Sequence, residues 1–300
     1  MKKAFNILIY LIIIILVVIT FEPLTNRLAK LFSHQPNVII LPANAYARDL
    51  DFRFVWQTDD FVPYSRQDLK NIFYTVLNNG WENFTFYCPR EYINCLYDVV
   101  DLTNSGIFAH INNFVAPFNG FYTVTTFHTA AGEVTFNIDW LYSPDKIDII
   151  NNRVDEIIDK LINDDMELRD KILAIHDYII KNTFYDIEHE TSEYKSNMAY
   201  GALIQGRAIC SGYTDAMALF LNRFNIPNFK VASEDHIWNA VYLNGQWLHL
   251  DLTWNDPVNP YDQFNTILRH TFFLITTNDL DEIEITDHDF NPLIYQELVS

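Results

Sequence analysis

A chain of 300 residues with 49% hydrophobic and 15% aromatic content can bury a sizeable core, in one large domain or two small ones, which excludes disorder over its whole length. Twenty basic against thirty-nine acidic side chains leave a formal net charge of −19, a field that repels phosphate backbones and anionic headgroups. Nucleic acid is thereby excluded as a partner, and the acidic excess reads as a solvated surface.

In chain order, Lys2 and Lys3 precede an apolar stretch from Ala4 to Phe21, interrupted only by Asn6, Tyr10 and Thr20. At about 1.5 Å per residue this stretch spans about 27 Å, close to the ~30 Å of a bilayer's hydrocarbon core. Residues 1–21 are therefore expected to be a membrane anchor that leaves the body outside the cytoplasm. Ala43-Asn44-Ala45 and Ala45-Tyr46-Ala47 resemble signal-cleavage sites and keep a secreted form as the alternative. Residues 22–47, with Pro23, Pro36 and Pro42 and no sustained period, read as a stalk.

A small α/β module is expected over 48–142. Phe52, Phe54 and Trp56 alternate as in a strand. Ser65 caps a helix with Asp68 at its third position, and Gly80 ends it. Phe84 to Tyr87 reads as a strand, and Tyr122–Phe127 against Val134–Ile138 as a hairpin with Gly132 at its turn. Cys88 and Cys95 lie close enough in sequence for a disulfide, or are two buried thiols. The module holds no tight cluster of ionisable residues, which gives it a structural or substrate-positioning role.

Residues 143–300 form the second predicted domain. A helix is expected over 143–163, with Ile147, Ile150, Val154, Ile157, Ile158 and Leu161 as its apolar stripe. Another is expected over 166–182 with Leu168, Ile172, Ile175 and Ile179 inward and His176 as a packed or surface histidine. Gly206 to Tyr213 leads into a helical run over 214–224, so Cys210 sits at or just before a helix start, where backbone N–H groups and the macrodipole favour thiolate over thiol.

Asn244-Gly245 then marks a two-residue hairpin turn. Pairing Leu243 with Gln246 puts Tyr242 opposite Trp247, Ala240 opposite His249, Trp238 opposite Asp251 and His236 opposite Thr253. His236 and Asp251 become diagonal neighbours on one face, within the ~7–8 Å from which a carboxylate reaches an imidazole. A thiol attacks an acyl carbon only when deprotonated, and the leaving group must then be protonated; histidine does both, and a carboxylate fixes its tautomer.

Cys210-Ser211-Gly212-Tyr213, His236-Ile237-Trp238-Asn239 and Trp247 to Trp254, in that order and with spacings of 26 and 15 residues between Cys210, His236 and Asp251, resemble the motif blocks of the bacterial transglutaminase-like superfamily. The resemblance extends to Ile175–Ile179, Tyr185-Asp186 and Phe272–Ile275, and covers residues 140 to 290. It implies an α+β, papain-like domain in which a helix-borne cysteine packs on an antiparallel sheet, with Cys210 as nucleophile, His236 as general base and acid, and Asp251 as the third member.

Four further residues are candidates for the oxyanion or substrate. The backbone N–H of Cys210 is the expected oxyanion donor, with Gln205 as a candidate side chain. Trp238 and Trp254 are expected to wall an acyl-binding groove, and Tyr213 to line the cleft or support the helix. His249 is expected as an exposed strand histidine. No metal is expected: Cys210, His236, His249 and Asp251 lack the close ligand pairs of structural zinc sites. No phosphate loop, and hence no nucleotide cofactor, is found. The implied function is an extracytoplasmic cysteine peptidase, amidase or transamidase acting on protein or peptide substrates such as wall peptides. The alternative is a catalytically silent envelope scaffold on the same fold.

Overall fold

The computed structural model describes residues 38–104, 106–256, 268–283 and 286–299. The segment read as a membrane anchor and most of the stalk lie outside them. Among the described residues no helix is long and apolar enough to cross a membrane. The end of the stalk is tied down: Asn44 N–H donates to Asn79 O at 3.0 Å and Trp81 Nε1–H to Pro42 O at 3.2 Å.

Residues 52–56 form no strand. Phe52 N–H closes a turn on Val55 O at 2.9 Å, and Phe52 and Phe54 are buried while Trp56 is exposed. Both Phe rings pack on Phe114, so the alternation reflects burial against an aromatic wall, which needs no ladder. Helix α1 (Arg66–Asn78) begins where Ser65 accepts from Asp68 N–H, and Gly80 follows it at φ +69°. Strands β1 (Asn83–Tyr87), β2 (Phe121–His128) and β3 (Glu133–Trp140) make an antiparallel sheet in the order β1-β3-β2. Phe84, Phe86, Val134, Phe136 and Ile138 point inward, and Phe136 meets Phe73 of α1 edge-on at 4.9 Å. Helices α2 (Cys95–Asn104) and α3 (Ile107–Asn112) complete the module, and Cys88 and Cys95 are joined in a disulfide.

Helices α4 (Pro144–Leu161) and α5 (Leu168–Asn182) fall within two residues of their expected bounds. Ile147, Ile150, Val154 and Ile157 are buried, as are Ile172, Ile175 and Ile179. Leu168, expected inward, is 43% exposed; it is the first residue of its helix, ahead of the stripe. The short parallel pair β4 (Phe184–Tyr185) and β5 (Arg207–Ala208), with a π-helical turn at Gly201–Gln205, leads into α6 (Cys210–Arg223), buried without a break from Gly212 to Leu221.

Helix α6 packs on a four-stranded antiparallel sheet ordered β6 (Asn228–Ala232), β7 (Ile237–Leu243), β8 (Gln246–Leu250), β9 (Phe273–Ile275). The architecture is α+β and papain-like. Asn244 and Gly245 both have positive φ, and Leu243↔Gln246, Tyr242↔Trp247 and Ala240↔His249 pair as expected. The ladder stops at Asn239↔Leu250, so the expected pairs Trp238↔Asp251 and His236↔Thr253 do not form. Asp251 instead leaves the strand to cap α7 (Leu252–Asn255); helix α8 (Thr277–Glu282) follows β9.

Candidate active site

Cys210 is the first residue of α6, and three contacts fix that helix start. Ile209 N–H donates to Ser196 O at 2.9 Å. A Cβ on Gly212 would stand 2.3 Å from the same Ser196 carbonyl oxygen, so only glycine admits this approach. The Thr214 hydroxyl lies 2.8 Å from Cys210 O and 3.0 Å from Ile237 O, tying the helix start to the strand that follows His236.

His236 Nε2 stands 2.5 Å from Asp251 Oδ2, and Cys210 is near enough to the ring to help raise its pKa. With Nε2 on the carboxylate, Nδ1 is the nitrogen left free to serve the sulfur. Trp238 stacks on the ring at 5.6 Å and 14°, and Trp254 meets it edge-on at 6.5 Å. Asp251 is 1% exposed, and all its acceptor capacity is used. Oδ1 takes Thr253 N–H at 2.8 Å and Trp254 N–H at 3.1 Å, while Oδ2 takes His236 Nε2 and, at 2.8 Å, His288 Nε2.

Burial opposes charge on both groups, and hydrogen bonding overrides it. The His236 imidazole loses solvation, but bonds to Asp251 and Cys210 raise its pKa to about 10. Desolvation of Asp251 is likewise outweighed by its bonds to His236 and His288, which lower its pKa to about 2. The Tyr185 phenol has its pKa raised, first by burial and then by the charges of Cys210 and Asp251.

The structure thus brings Cys210, His236 and Asp251 together and distributes the other candidates around them. Trp238 is buried behind the imidazole, donating Nε1–H to His249 Nδ1 at 3.0 Å, and so backs the histidine where a groove wall was expected. Trp254 is half-buried. Tyr213 is fully buried with its hydroxyl on Asp256 Oδ2 at 2.5 Å; it supports the helix and does not line the cleft. Gln205 spends its carboxamide oxygen on Lys195 N–H at 2.8 Å. His249, expected to be exposed, is buried between Trp238 and Thr277, and desolvation lowers its pKa to about 3. Tyr185 was visible in the sequence only as part of a motif, and His288 not at all: it arrives from the far C-terminal segment, with no periodic pattern around it.

Among the described residues two groups have metal-ligand proximity: His236–Asp251–His288 and His176–Asp177–His270. In the second, Asn255 Oδ1 accepts Phe272 N–H at 3.0 Å, so its Nδ2 donates to His176 Nε2 at 3.0 Å. His176 then carries its proton on Nδ1, donating to Asp177 Oδ1 at 2.9 Å, and offers no lone pair to an ion. In the first, both imidazoles direct Nε2 at one carboxylate oxygen, which needs N–H groups there and not lone pairs.

Residues 155–252, about a third of the chain, match the model of the transglutaminase-like superfamily. The chain therefore carries a domain of that superfamily, whose chemistry is cysteine-based. No curated protein matches it by sequence. Among solved structures, a TGase is 14% identical, with 49% of this chain on 48% of that one and a TM-score of 0.32. A provisionally named cysteine protease from Cytophaga hutchinsonii is 14% identical over 49% of this chain and 65% of that one, with a TM-score of 0.29. The chain spans about half of the first and just under two thirds of the second.

Proposed function

We propose that this protein is an extracytoplasmic cysteine acyl-transfer enzyme, anchored through residues 1–21, that forms a thioester on Cys210 and acts on envelope proteins or wall peptides. The observation that carries the chemistry is the unbroken chain of contacts from Cys210 through His236 to a buried, fully hydrogen-bonded Asp251. The Cys88–Cys95 disulfide supports a location outside the reducing cytoplasm.

His236, its pKa raised to about 10, already holds the Cys210 proton on Nδ1, and the sulfur attacks the acyl carbon. The oxyanion that forms meets the Cys210 backbone N–H at the start of α6. His236 returns the proton to the departing amine, leaving a thioester. Water or an incoming amine then loses its proton to His236 and attacks the thioester, and the released sulfur is reprotonated from the imidazolium. Water gives hydrolysis and an amine gives transamidation; the triad serves both.

The test is incubation of the full chain with wall peptides and envelope proteins, read by mass spectrometry beside Cys210→Ala. Cleavage or mass gain with the wild type alone supports the proposal. Equal products from both proteins would refute it.

A further inference from the structure

Resting on the reading of Cys210, His236 and Asp251 as an acyl-transfer triad, we propose that His288 is a positioning residue for it. Its Nε2–H pins Asp251 through the same carboxylate oxygen that His236 uses.

The residue stands thirty-six positions beyond the end of the superfamily match, at residue 252, so nothing in that match assigns it. Its side chain is 2% exposed, and Nε2 lies 2.8 Å from Asp251 Oδ2. The other nitrogen, Nδ1, is buried with no hydrogen-bond partner among the described residues. A buried N–H without an acceptor costs more than a buried lone pair, and an imidazolium would place such an N–H at Nδ1. His288 is therefore the neutral tautomer with its single proton on Nε2, a dedicated donor to the carboxylate.

The slot admits one ring orientation. Phe272 stacks on His288 at 4.9 Å and 12°, Trp238 meets it at 4.8 Å and 68°, and Trp254 closes a third side at 5.8 Å. The two imidazoles stand almost perpendicular, 79° apart, and converge on Oδ2. The N-terminal amides of α7 hold Oδ1 at the same time. A carboxylate gripped at both oxygens cannot rotate, so His236 Nε2 has one bonding direction and its Nδ1 stays aimed at Cys210.

Among the described residues the titratable groups facing His288 are Asp251 and His236, with His249 behind Trp238; Phe272 and Trp254 carry no charge. Loss of one donor to the ionised carboxylate raises the pH at which Asp251 is protonated and lifts its hold on His236.

Two measurements on the full chain test this. In long-range ¹H–¹⁵N spectra of the ¹⁵N-histidine-labelled wild type, His288 is expected as the neutral Nε2–H tautomer; the Nδ1–H tautomer or a protonated ring at neutral pH overturns the proposal. The rate of Cys210 alkylation by iodoacetamide is then followed against pH. His288→Phe is expected to slow it about tenfold at pH 6 and to move the acid limb to higher pH. His288→Gln, which keeps an N–H at that place, is expected to restore most of the rate. A phenylalanine variant that keeps the wild-type limb, or a glutamine variant as impaired as phenylalanine, overturns it. If His288→Phe loses its near-UV dichroism and does not fold, the spectrum and the glutamine variant decide. A wild-type Cys210 no faster than a free thiol would defeat the triad reading, and the tautomer would still decide the placement of His288.

Discussion

At the scale of residues, the site is organised around one carboxylate. Asp251 accepts from two histidines and two backbone amides, and it lends His236 a countercharge that burial cannot remove. His236 has its pKa raised to about 10, above the ordinary 6.5, so its stabilisation is full below about pH 6.5 and is lost as pH rises through about 10. Asp251 is lowered to about 2, so its contribution is present above about pH 4 and is lost as pH falls through about 2. Asp251→Asn removes the charge and keeps the shape. The stability difference from wild type, read as urea midpoints, is expected to be largest between about pH 4 and 6.5. The same variant is expected to cut Cys210 alkylation at least about 10²-fold at pH 6. A variant that alkylates at the wild-type rate would show that the carboxylate does not orient the base. The meeting of Cys210, His236 and Asp251 was legible because local features carry them: a helix start, a hairpin and a spacing. His288 was not, since only tertiary packing delivers it.

At the scale of elements, most helices and strands were readable from period and punctuation, and the failures have physical causes. The hairpin register held through five pairs and then broke at Asp251, because aspartate is a strong N-cap and α7 claims it. The His–Asp contact expected across a ladder is therefore made at the ladder's end. His249 was misplaced because both faces of the sheet are covered, by α6 on one side and by α8 and the C-terminal segment on the other. Alternation alone cannot distinguish solvent from a second layer. The disulfide at the head of α2 closes a short loop, and its removal in Cys88→Ser/Cys95→Ser is expected to cost about 2 kcal/mol in urea unfolding. Cys210 alkylation is expected to stay unchanged; a slower rate would show that the module and the triad are coupled.

At the scale of the whole molecule, the described residues from Ile40 onward pack as one unit, and the two predicted halves are interlocked within it. Arg48 donates to the carbonyl oxygens of Phe114 and Asn228 and to the side chains of Asn222 and Asn228. Beside it Phe114, Phe229 and Tyr295 stack, and the Tyr295 hydroxyl takes Asn113 Nδ2–H at 2.8 Å and Ala232 N–H at 3.0 Å. None of this seam was legible in the sequence, because its members come from four distant stretches with no shared period. It holds the C-terminal segment, and with it His288, against the sheet whose strand ends adjoin His236 and Asp251.

The most direct measurement is acylation of the intact chain by an activated ester, with the modified residue located by peptide mass mapping. The expected result is an acyl mass on Cys210 in the wild type that hydroxylamine removes, and far slower acylation in His236→Ala. Acyl mass on another side chain, or equal acylation of Cys210 in the two proteins, would contradict the assignment of a working Cys–His–Asp centre.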